Sequence, residues 1–246
     1  DAFVRGRQLT LKYTRDGHES ARPWLEKAIA LDREFADPVA SLASIHVIAH
    51  VNKWGENWQN GLQTGIELAS KAVALDDLSP HAHFALGVTY FWSGKHEECI
   101  AEQEQAIALD PNLAMAHQVS GNALHYMGDS AAAEERLETA QRLNPNGDSV
   151  MHQLALCYFM QGNLEAAVDM LRRRIALTPS TDASRALLAS TFGHMGRVEE
   201  ANVTWAELME VHPEYSFADR RKFLPYRKEQ DPERIAEGLR KAGIET

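Results

Sequence analysis

The chain has 246 residues, 44% of them hydrophobic, and sets 35 acidic against 25 basic side chains for a net charge of -10. That balance weighs against general nucleic-acid binding, because like charges repel along a phosphate backbone. No apolar run approaches the roughly 20 residues that span a bilayer, and no signal peptide is visible, so no direct membrane contact is expected.

Residues Ala2 to Tyr13 read as a first helix, which Asp16-Gly17 breaks, and Ala21 to Asp32 as a second. Two more helices are expected from Pro38 to about Val51 and from Leu62 to Leu75, joined by a long connection at 52–61. That connection holds Trp54 and Trp58. Its simplest reading is a loop closed over the neighbouring helix pair, and contact with a partner is the alternative.

From Pro80 the chain becomes periodic. Pro111, Pro145, Pro179 and Pro213 step by 34 residues, and so do Gly94, Gly128, Gly162 and Gly196. Proline marks the gaps between helices, and glycine closes a helix in the left-handed conformation, so each period is one helix pair. Small residues recur where two helix backbones must come close: Gly87, Gly121, Ala155 and Ala189 on the first helix of each pair, Cys99, Ala133, Ala167 and Ala201 on the second. Beyond Pro213 the period fails. A short helix stopped by Pro225 and a last one from Asp231-Pro232-Glu233 to Gly243 are expected, with Ile235, Leu239 and Ala242 docking it on the final repeat.

These positions resemble the tetratricopeptide repeat (TPR), a helix–turn–helix unit of the same period. The resemblance implies an all-α, right-handed superhelix, an α–α solenoid of about six helix pairs with a C-terminal capping helix. Its divisions are a degenerate pair at 1–35, an enlarged repeat at 36–79, four regular units at 80–213 and capping helices at 214–246. One elongated domain is expected, since stacked repeats need no single core. The sequence departs from the family at His83, His117, Met151 and Arg185, where Trp is preferred, and at Arg174, whose head is expected in solvent with its stem along the interface.

The ALD and LNP junctions and the ending LPYRKEQDPERIAEGLRKAGI are similar to the C-terminal TPR region of bacterial class III adenylate/guanylate cyclase-like signalling proteins. Because the helical pattern is already running at Asp1, the chain is expected to be a piece of a longer protein whose upstream part could carry a cyclase domain. The cytoplasm is the expected location, or the periplasm if a transmembrane segment lies upstream.

Chemistry is hard to find. His81 and His83 point to different sides of a helix, His96 to Cys99 is not a zinc-binding HExxH, and no GxSxG elbow or phosphate-cradling loop occurs. No cofactor, metal or catalytic residue is expected, and the two cysteines are expected to stay reduced.

Binding leaves more trace. In the TPR family the first helices line the concave groove, which by that resemblance takes Phe84, Val88, Phe91, Gln118, Asn122, His125, His152, Leu156 and Phe159. Aromatic and amide groups with no carboxylate, Lys or Arg suit a protein or peptide partner, with Asn122 able to donate and accept to an extended backbone. The second reading is a self-association module that dimerises an attached cyclase through Trp54, Trp58 or the C-terminal helix. Arg220, Arg221, Lys222, Arg227 and Lys228 form a basic segment that is either a solvated helix end or a docking point for an acidic surface.

Overall fold

The glycines that step by 34 residues all take the left-handed backbone, with φ of 73° at Gly94, 91° at Gly128, 84° at Gly162 and 73° at Gly196. Such a residue ends one helix and turns the chain sharply into the next. In the junctions before the first helices, Asp32, Asp76 and Asp110 each accept the backbone N–H two residues on through Oδ1, at 3.0 Å. This local bond is why Asp recurs in the ALD junctions.

The computed structural model describes all residues of the chain except Tyr13, Phe223, Pro225, Glu229 and Thr246. The expected helix end at Tyr13 and the stop at Pro225 lie outside the described residues. The described residues form helices and no strand, and they divide into two compact units, Asp1–Ala123 and Leu124–Thr246. A repeat touches only its neighbours, so a chain read as one elongated domain can still divide, here near the end of a first helix.

Unit 1 contains α1 (Ala2–Thr10), α2 (Arg15–Leu31), α3 (Ala36–Asn52), a 3-10 turn (Trp58–Asn60), α4 (Gly61–Leu75), α5 (Pro80–Trp92), α6 (His96–Leu109) and most of α7 (Ala114–Tyr126). Its hairpins are α1 with α2, α3 with α4 and α5 with α6, and α5 packs on both α3 and α4. The core runs through Ala40, Ala43, Ala69, Ala72, Ala82 and Ala85, small residues that let these helices approach. Gly87 is where α5 meets α6, since a Cβ there would lie 2.2 Å from the amide nitrogen of buried Gln103.

One boundary differs from the sequence reading. Asp16 and Gly17 lie in the first turn of α2, because the Thr14 hydroxyl caps that helix by accepting the Gly17 N–H at 3.1 Å. An N-cap with acid in the first turn starts a helix earlier than an Asp-Gly break suggests.

Unit 2 contains α8 (Ser130–Leu143), α9 (Asp148–Gln161), α10 (Leu164–Leu177), α11 (Asp182–His194), α12 (Val198–Val211), α13 (Phe217–Arg221) and α14 (Gln230–Lys241). Asp129 caps α8 through its carboxylate, as its type predicts, whereas Asn163 makes no side-chain cap to α10. Leu137, Leu171 and Leu208 are fully buried on the second helices. Ile235, Leu239 and Ala242 join the cluster of Leu187, Leu188 and Phe192, so α14 docks on α11 as expected.

Candidate protein-interaction surface

In unit 1 the first helices α3 and α5 lie side by side, in a register marked by Ser41 Oγ at 3.3 Å from His81 Nε2. Of the residues assigned to a groove here, Phe84 and Phe91 are interior. Phe84 clusters with Ala106 and Ala116, while Phe91 sits edge-on to Trp92 and against His96. Val88, Gln118 and Asn122 are half-buried, as are Ile48 and Trp92. The Asn122 amide oxygen is buried without a hydrogen-bond partner. A desolvated acceptor left unpaired costs stability, so its retention calls for an explanation.

The tryptophans of the long connection are spent inside unit 1. Trp54 packs edge-on to His18, and Trp58 lies against His50, whose Nδ1 donates to the Trp58 carbonyl at 3.0 Å. Both close the loop over neighbouring helices.

In unit 2 the expected groove residues lie under the chain's own C-terminal segment. His125 Nε2 is 3.4 Å from the Tyr226 hydroxyl, the Tyr126 and Tyr226 rings meet edge-on at 4.5 Å, and the Arg227 N–H donates to the Tyr126 carbonyl at 2.9 Å. The Arg234 guanidinium stands 5.3 Å over the Phe159 ring. Leu156 is buried nearby, and His152 bonds through Nδ1 to Ser184 Oγ at 3.1 Å. Of the four residues, His125, Leu156 and Phe159 therefore belong to the interior of unit 2, where the sequence reading had them facing a partner.

Burial fixes the chemistry of these groups. Desolvation brings His125 down to about 4, and it holds His152 well below the ordinary histidine range, helped by Arg174, Arg220 and His125. The same cause pushes Cys99 and Cys157 up to about 12, which leaves neither thiol a nucleophile at neutral pH. Among the described residues no three His, Cys, Asp or Glu side chains are placed to hold a metal. Part of the basic segment is paired internally: Arg221 with Glu233, Lys222 with Asp219, and Arg220 with Asp182.

Models of the tetratricopeptide repeat match residues 80–113 and 124–191. Those two stretches carry tetratricopeptide repeats. The chain's fold is similar to that of Pseudomonas aeruginosa pilF, with a TM-score of 0.65 and 22% identity over 90% of this chain and 96% of that one. It is also similar to YrrB, titled a TPR protein with an unusual peptide-binding site, with a TM-score of 0.56 and 20% identity over 80% and 97% of the two chains. In sequence, 98 residues are 32% identical to a Rhizobium meliloti (strain 1021) protein named "Putative adenylate cyclase 3", covering 40% of this chain and 17% of that protein. TPR proteins are interaction modules, and among the described residues no helix is long and apolar enough to cross a membrane.

The departures from the TPR pattern share a role. His83, His117 and Arg185, at the family's Trp position, each donate to the carbonyl six residues earlier, of Asp77, Pro111 and Pro179. Met151 has no donor, and there Gln141 reaches the Pro145 carbonyl instead, at 3.0 Å. A side-chain N–H at this place ties each inter-repeat turn to its helix pair. Arg174 is not solvated as expected: its side chain is 15% exposed, and it donates to Thr181 and Ser184 and lies 3.6 Å from Asp148. The TPR period does not announce Tyr226, Arg234 or Gly238. Gly193 carries the missed signal, a glycine where Phe91, His125 and Phe159 place rings, and its missing side chain makes room for α14.

Proposed function

We propose that this TPR chain is a non-catalytic protein-interaction module that takes a peptide or partner segment on the first-helix side of unit 1, within a larger bacterial signalling protein. The half-buried places of Val88 and Asn122 on successive first helices carry the reading. Asn122 and Val88 hold equivalent places one repeat apart, so an extended chain lying across α5 and α7 would lay its backbone beside the Asn122 side chain and a side chain against Val88. Similarity to a segment of a cyclase-named protein supports a regulatory role beside a catalytic domain.

The test is a phage-displayed peptide library selected on the full chain. Asn122→Ala should weaken the selected peptides about 3- to 10-fold, the worth of one hydrogen bond. Val88→Asp should weaken them more than tenfold by placing an unpaired charge against an apolar side chain. Unchanged affinity in both variants, with helicity retained by circular dichroism, refutes the site.

Self-association is the second reading, and it needs Trp54, Trp58 or α14 to face outward. Each is engaged within its own unit, so sedimentation is expected to find a monomer across a hundredfold concentration range. A concentration-dependent dimer would favour the self-association reading.

A further inference from the structure

We infer that the first-helix side of α9 and α11 is a helix-binding groove that now holds the chain's own α14, and that its external partner is an amphipathic helix with an aliphatic, glycine, leucine and alanine stripe spaced as Ile235, Gly238, Leu239 and Ala242. This rests on the interaction-module reading and extends it to a second site. The resident helix is the page on which the partner's chemistry is written.

The groove holds that helix by its backbone. Ser190 Oγ donates to the Ile235 carbonyl at 2.8 Å, His194 Nε2 to the Arg234 carbonyl at 2.8 Å, and Asn202 Nδ2 to the Ala242 carbonyl at 3.1 Å. Main-chain carbonyls are the same in every helix, so the Ser190 and His194 donors do not require the tail's own sequence, and Asn202 meets the turn that ends α14.

Selection comes from shape. A Cβ on Gly193 would fall 1.9 Å from the Gly238 carbonyl oxygen, and one on Gly238 would fall 2.3 Å from Ser190 Oγ. Backbone meets backbone there, so a partner helix needs glycine at that one place. Ile235 and Leu239 then fill the apolar cluster of α11, and Ala242 fits the narrow end.

The resident helix is an imperfect ligand. Asp231 Oδ2 and Arg234 Nε are buried without hydrogen-bond partners, so both polar atoms lose water with no return. A helix that keeps the stripe, carries an uncharged residue at the first of these places and sets a methionine thioether against the Phe159 ring at the second would bind more tightly and displace it.

The probe is a labelled peptide of residues 226–246 added to the full chain. The attached tail competes at an effective concentration of the order of millimolar, so the wild type should take up the peptide roughly 100-fold more weakly than Gly238→Leu. Leucine at 238 raises helix propensity while clashing with Ser190, so it undocks α14 without unmaking it. Gly193→Leu, which blocks the groove itself, should bind no peptide. A peptide carrying Asp231→Ser and Arg234→Met should bind Gly238→Leu more tightly than the natural one.

Equal uptake by the wild type and Gly238→Leu overturns the proposal. So does loss of amide protection through residues 130–211 in Gly238→Leu, which would make α14 an integral part of the fold. A wild-type dimer dissolved by the peptide would put a second copy's tail in the groove and contradict a foreign partner. None of these results touches Val88 or Asn122, so the reading for unit 1 stands or falls separately.

Discussion

Phe159→Ala is expected to destabilise unit 2 by about 3–5 kcal/mol, the range for deleting a buried aromatic ring from a core. The ring is fully buried, packs with Leu156, Leu187 and Phe192, meets His194 edge-on at 5.4 Å, and lies under the Arg234 guanidinium. Its loss opens a cavity, removes a cation–π contact, and leaves Arg234 over nothing. Phe159→Leu should retain most of the stability. Urea unfolding followed by circular dichroism, with amide exchange assigning the loss to residues 124–246, makes the measurement. A variant of unchanged stability that instead lost peptide affinity would return Phe159 to the partner-facing role expected from its repeat position.

Acidification is the second large effect. His125 is held neutral down to about 4 by burial, and His152 is held well below the ordinary range by burial and by Arg174 and Arg220. Unfolded histidine titrates near 6.5, so below that pH the unfolded chain binds more protons than the folded one, and stability falls as pH falls. The contribution is complete above pH 6.5, declines from there, and levels off for His125 near pH 4, a loss on the order of 3 kcal/mol from that residue alone. His18, His46 and His81 in unit 1 are also lowered, mainly by desolvation, and act in the same direction. Denaturant titrations at pH 8, 6, 5 and 4.5 should show this slope, and His125→Asn should reduce the part carried by unit 2, leaving the share of His152. An unchanged slope in that variant would assign the acid sensitivity to other groups.

The repeats were legible because their signals are local. A glycine that must take positive φ, a proline that cannot continue a helix and an alanine at a helix crossing each act within a few residues, and the 34-residue step lines them up. What the sequence hid was non-local. Nothing in the order of residues says that Tyr226 returns to His125, 101 positions back, or that Gly238 meets Gly193. Groove positions transferred by repeat number assume an open face, and the tail closes that face in unit 2. Arg174 misled for a related reason. A long cation at a small-residue position reads as solvated until Asp148, Thr181 and Ser184, drawn from the starts of α9 and α11, are seen around it.

The central claim is that unit 1 offers its first helices to a partner while unit 2 keeps its own covered. Hydrogen–deuterium exchange of the full chain, with and without a saturating library-selected peptide, tests it most directly. Slowed exchange in residues 81–92 and 115–122 with 151–160 unchanged is the expected result. Slowing confined to 151–160, with 81–92 and 115–122 unaltered, would contradict it.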